Sequence, residues 1–65
     1  MYMWKEGNDV RFNISEMGRI IGVTQPTLSR IINRRVACRK VVAYCMTKYI
    51  DEKAEIEKYF DRVRD

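Results

Sequence analysis

The sequence predicts an all-α fold, a small bundle of three to four helices built as one domain over residues 1–65. Apolar side chains recur at three- and four-residue spacing from Ile14 onward, the period of a helix with one buried face. Helix start and stop signals bracket those runs. A chain of 65 residues also has room for only one modest core, since folding at this size buries ~60% of the surface the unfolded chain exposes. A large catalytic cleft is not expected.

Residues 1–12 form an N-terminal arm. Its apolar tetrad Met1-Tyr2-Met3-Trp4 gives way to Lys5-Glu6-Gly7-Asn8-Asp9, and the Gly-Asn-Asp turn signal predicts a loop or short edge strand rather than a helix. The first helix begins at Asn13, which with Glu16 forms a capping box. Ile14, Met17, Ile20 and Ile21 follow at helical spacing, and Gly22 ends the helix in a left-handed turn. Thr24 is placed to cap the second helix, with Pro26 in its first turn, where a missing N–H is tolerated. Leu28, Ile31 and Ile32 make its apolar stripe, while Gln25, Thr27, Ser29, Arg30 and Asn33 point the other way.

Arg34 and Arg35 form a basic connection, and a third helix is predicted from Val36 to Ile50, completing a three-helix core over residues 13–50. Beyond Ile50 two readings stand. Val42, Tyr49, Ile56 and Val63 recur every seven residues, with Cys45 and Tyr59 between, as in one helix running on to Arg64. Glu52 interrupts that register, and a break at Asp51-Glu52 followed by a fourth helix from Lys53 to Arg64 fits equally. Residues 51–65 are thus expected to be an acidic C-terminal helix. Ile56, Tyr59, Phe60 and Val63, with Tyr2 and Trp4 of the arm, would make a dimer interface or fold back on their own domain.

Charge narrows the function. Thirteen Lys and Arg face nine Asp and Glu, for +4, and there is no His. Residues 1–50 hold nine basic and three acidic side chains, whereas residues 51–65 hold four and six. A basic body of this kind suits a polyanion, although a solvated surface with a basic bias would look similar. Without His, the commonest general base and metal ligand is missing, and two Cys cannot close a zinc site. No nucleophile has a base beside it, so no enzyme activity, cofactor, metal or small-molecule ligand is expected. Cys38 and Cys45, seven residues apart on the predicted helix, would lie ~10 Å apart, too far for a disulfide, and are expected to be buried. No apolar run approaches the ~18 residues of a membrane span, and no signal peptide is evident, so the expected compartment is the reducing cytoplasm.

Helix, Gly-centred tight turn and helix are the layout of a helix-turn-helix. Two steeply crossing helices nearly touch, and Gly18 is the small residue that such a crossing requires. Val23 plugs the space beneath the turn. The predicted core is Met17, Ile21, Val23, Leu28, Ile31, Val41, Val42 and Cys45.

The stretch Ile14-Ser-Glu-Met-Gly-Arg-Ile-Ile-Gly-Val-Thr-Gln-Pro-Thr-Leu-Ser-Arg-Ile-Ile-Asn33 resembles the helix-turn-helix of the lactose-repressor family and of phage Cro and repressor proteins. Its Val-Thr-Gln-Pro-Thr-Leu-Ser-Arg segment is also similar to the start of the recognition helix in LysR-type regulators. The resemblance covers roughly a third of the chain. The short Arg34-Arg35 connection departs from the lactose-repressor pattern, and a stand-alone domain of this size looks more like a phage or mobile-element regulator. The resemblance implies that Gln25, Pro26 and Arg30 face base edges in the major groove and that Thr24, Thr27, Ser29 and Asn33 approach phosphates. Independently, Arg can pair bidentately with guanine and Gln with adenine. Arg34, Arg35, Arg39 and Lys40 follow the second helix as candidate phosphate contacts.

The expected function is a sequence-specific double-stranded DNA-binding regulator of transcription. It would be a small repressor acting as a homodimer on a palindromic operator. An excisionase-like architectural factor, or an antirepressor or antitoxin-like protein-binding module, are the alternatives.

Overall fold

A computed structural model describes residues 1–63 of the chain. Along the sequence run β1 (Tyr2–Trp4), α1 (Ile14–Ile21), α2 (Gln25–Asn33), α3 (Lys40–Ile50), a single 3-10 turn (Ile56–Lys58) and β2 (Phe60–Arg62). The fold is mixed α/β and not the expected all-α bundle, because β1 and β2 pair as a two-stranded antiparallel sheet. Its register sets Tyr2 against Arg62, Met3 against Asp61 and Trp4 against Phe60. Tyr2 also exchanges two backbone hydrogen bonds with Cys38, at 2.8 and 2.7 Å, so β1 lies between β2 and the approach to α3.

The arm holds a short strand, within the loop or edge strand expected of it, and the C-terminal segment does not form a helix because its large side chains meet those of the arm. Trp4 stacks on Tyr59 with ring centroids 6.2 Å apart and meets Phe60 edge-on at 5.3 Å and Phe12 edge-on at 6.1 Å. Aromatic side chains on facing strands gain more from such pairs than from an isolated terminal helix. The seven-residue recurrence of Val42, Tyr49, Ile56 and Val63 therefore does not mark a continuous helix. Neither the extended helix nor the separate helix from Lys53 forms, and the expected end near Arg64 lies outside the described residues. Trp4, Ile56, Tyr59 and Phe60, expected as interface candidates, are buried in the core of their own domain, while Tyr2 and Val63 are half-buried.

Asp51 ends α3. Its backbone N–H still reaches Thr47 O at 2.8 Å, but its own conformation is extended. Its carboxylate accepts from the Lys53 backbone N–H at 3.2 Å and from Lys58 Nζ at 3.1 Å. Lys48 Nζ donates to the carbonyls of Glu52 and Ala54 at 3.1 and 2.9 Å, satisfying the chain as it turns away.

The third helix also begins later than expected, at Lys40 rather than Val36, because Cys38 is held extended by Tyr2. Cys38 and Cys45 therefore do not share a helix; both are free thiols, Cys38 buried and Cys45 half-buried. Burial pushes the Cys38 thiol above its ordinary pKa. The helix presents Ala43, Met46 and Thr47 to the core, and Val41, expected inside, is 64% exposed. Met17, Leu28 and Ile31 are buried as expected, with Ile21, Val23, Val42 and Cys45 partly so. No described helix is long and apolar enough to cross a membrane.

Candidate nucleic-acid interface

The tight crossing of α1 and α2 starts from backbone chemistry. Asn13 caps α1, its side-chain oxygen accepting from the Glu16 N–H at 3.0 Å. The reciprocal arm of the capping box is not made: the Glu16 carboxylate instead accepts from the Tyr49 hydroxyl at 2.7 Å, tying α1 to α3. That bond to a carboxylate also raises the Tyr49 hydroxyl pKa above its ordinary value. At the far end Gly22 adopts φ +77°, and the backbone N–H groups of Gly22 and Val23 both donate to Gly18 O, at 2.9 and 3.0 Å. A Cβ at Gly18 would overlap the Val23 carbonyl oxygen and press on Leu28 Cδ1 at 3.3 Å. Any larger residue there would separate the two helices.

Leu28 and Ile31 bury the inner side of α2. Its outer side presents Gln25, Pro26, Thr27, Arg30 and Asn33, all exposed, and Arg34 just past its end is exposed as well. The helix carries no acidic side chain. Three short bonds order this surface. The Ser15 hydroxyl on α1 donates to Gln25 Oε1 at 3.0 Å. Thr24 and Thr27 share a hydroxyl–hydroxyl bond at 2.9 Å, so Thr24 occupies the cap position without capping through its side chain. Asn33 Nδ2 donates to Ser29 Oγ at 3.0 Å, and Ser29 itself is half-buried. The three hydroxyls expected to meet phosphate, Thr24, Thr27 and Ser29, are thus partly engaged within the helix and its cap.

Of the basic residues after α2, Arg39 and Lys40 adjoin this face. Arg30 and Arg39 line one shallow depression with Thr27, Ile31, Val36 and Val42, and Lys40 borders a neighbouring one beside Arg39. Arg39 and Lys40 also open α3, whose first turn has no acidic residue and no side-chain cap. Its free N–H groups and helix dipole add to the positive charge there. Arg35 does not join. It sits at φ +53°, with Nε donating to Trp4 O at 3.3 Å and Nη1 3.5 Å from the Glu6 carboxylate. Its guanidinium fastens the α2–α3 connection to β1.

Ser15 is the member of this face that sequence reasoning missed. Its signal is the tight turn itself, because the crossing at Gly18 sets the first turn of α1 beside the start of α2. No known protein family, curated protein or solved structure matches this chain.

Proposed function

We propose that the chain is a sequence-specific double-stranded DNA-binding regulator of transcription, a small phage or mobile-element repressor acting in the cytoplasm as a homodimer on a palindromic site. The supporting observation is the outer side of α2, an acid-free helix held by a close crossing and presenting Gln25, Pro26, Thr27 and Arg30 to solvent. In this reading α2 enters the major groove. Arg30 pairs with the acceptor edge of guanine, and Gln25, its oxygen steadied by Ser15, offers its amide N–H to a base acceptor. Pro26 has no donor and gives apolar contact only. Thr24, Thr27, Ser29, Asn33 and Arg34 approach the backbone, while Arg39 and Lys40 at the start of α3 neutralise phosphates.

Selection of bound duplexes from a random library, followed by titration of two variants, tests the reading. Arg30→Ala should lose ~1–3 kcal/mol on the selected site and much less on a scrambled duplex. Arg39→Ala should weaken both by similar factors and lower the slope of log affinity against log salt by about one for each phosphate it no longer neutralises. Failure to enrich any duplex at low salt would overturn the proposal.

A further inference from the structure

Away from α2, the molecule exposes a second surface with a different character. Ile20 on α1 is 62% exposed, and Val41 and Tyr44 on α3 are 64% and 50% exposed. Val41, Tyr44, Cys45 and Lys48 follow one another at helical spacing and so form one stripe of α3. Ile20, Ile21, Tyr44, Cys45, Lys48 and Tyr49 line a common depression of about 420 Å³. Ile20, Val41 and Tyr44 take no part in the core, and an exposed cluster of this kind marks an interaction site more often than chance scatter does.

We infer that this face, centred on Ile20, Val41, Tyr44 and Cys45, is where a second copy of the chain docks. Its charges favour a self-complementary contact. The centre is apolar apart from the Lys48 ammonium, which lies 5.4 Å from the Tyr44 ring centroid and donates to the carbonyls of Glu52 and Ala54. On α1 its border carries Glu16 and Arg19, opposite charges one turn apart. Two identical faces related by a two-fold axis bring no carboxylates together at the centre and can set Glu16 of each against a cation of the other, Lys48 included. A strongly charged partner would find no complement here.

The face is also separate from the outer side of α2. Ile20 lies five residues beyond Ser15, the residue that touches Gln25, and so ~140° around α1. Pairing therefore leaves the outer side of α2 open, although on α3 the stripe borders Lys40, one of the proposed phosphate contacts. Choosing a second copy as the occupant rests on the DNA-binding reading, since one helix-turn-helix reads only a few base pairs and two copies are needed for a palindrome.

The face is small. A standard interface takes about 800 Å² from each partner, a sixth of the 4786 Å² this molecule exposes. The α3 stripe from Val41 to Lys48 is only ~10 Å long. Association in free solution is accordingly weak, and a duplex carrying two half-sites strengthens it by raising the effective concentration.

Sedimentation of the full chain from micromolar to millimolar concentration tests the face without DNA. The wild-type chain should pass from monomer to dimer across that range. Ile20→Gln and Tyr44→Gln keep the charge and change only exposed positions; each should raise the concentration for half-dimerisation about tenfold or more with an unchanged thermal melt. Val41→Gln provides a third variant should either of these fail to fold. On the duplex selected from the random library, the variants should bind a single half-site as the wild type does and lose affinity for the double site. A wild-type chain that stays monomeric at millimolar concentration, or variants that dimerise like it, would overturn the inference. Dimerisation through this face without binding to any duplex would sink the DNA-binding reading alone, whereas duplex binding with variants that still dimerise would sink the face alone.

Discussion

Gly18 and Thr47 show how single positions set the tolerance of so small a core. At Gly18 the obstacle to a side chain is backbone, the Val23 carbonyl oxygen, which cannot step aside as a flexible side chain would. Ala is the better helix former by ~1 kcal/mol, so sequence propensity alone favours Gly18→Ala. The overlap should outweigh that gain, giving a net loss of ~1–3 kcal/mol in denaturant titration. A variant as stable as the parent would show that the two helices can separate freely. Thr47 presents the opposite case: it is fully buried, and its hydroxyl has no hydrogen-bond partner among the described residues. Thr47→Val replaces that hydroxyl with a methyl of similar size and should stabilise the fold by ~1 kcal/mol, read as a higher melting temperature. A lower one would mean that the hydroxyl is satisfied.

The end of α3 shows what one carboxylate does for an element. Lys58 and the Lys53 backbone N–H hold the Asp51 carboxyl below its ordinary pKa of 3.8. A group depressed on folding stabilises the native state above its unfolded pKa, and that contribution disappears as pH falls through the folded value. Stability should therefore drop on acidification below about pH 4, and Asp51→Asn should flatten that part of the profile. An acid limb unchanged in the variant would remove Asp51 from this role. Lys58 titrates in the complementary sense: its pKa is raised chiefly by the same hydrogen bond, so its contribution persists below its ordinary value of 10.5 and is lost at higher pH. These details also explain what was legible in the sequence. The helices α1 and α2 could be read because their signals are local: Asn13 and Gly22 for one, Thr24 and Pro26 for the other. The start of α3 could not, because it depends on Cys38 meeting Tyr2 across the chain. The outward side of α2 followed from its period, with Gln25 and Arg30 exposed as expected, whereas the diversion of Arg35 depended on a left-handed backbone and a carbonyl thirty-one residues away.

The two ends of the described chain close the whole molecule. The Met1 amino group donates to Val63 O at 3.0 Å and the Val63 N–H donates to Met1 O at 2.8 Å, extending the β1–β2 ladder by one residue. Behind that ladder Ala54, Ile56, Tyr59 and Phe60 supply four of the eleven buried hydrophobic residues among those described. A fully buried large side chain contributes ~1.5–3 kcal/mol, so the three large ones together approach the whole stability expected of a small domain, ~5–15 kcal/mol. The acidic segment after Asp51 is thus a large part of what holds the three helices together. A chain truncated after Ile50 loses the partner of β1 and uncovers Trp4, which rests on Tyr59 and Phe60. That chain should show no cooperative thermal transition and should expose its tryptophan to quenchers. Leu28→Ala, which removes a core side chain without opening the sheet, should keep a cooperative transition and lose ~2–5 kcal/mol. If the truncated chain melts cooperatively near the temperature of the parent, residues 51–63 are dispensable and the three helices are a self-sufficient unit.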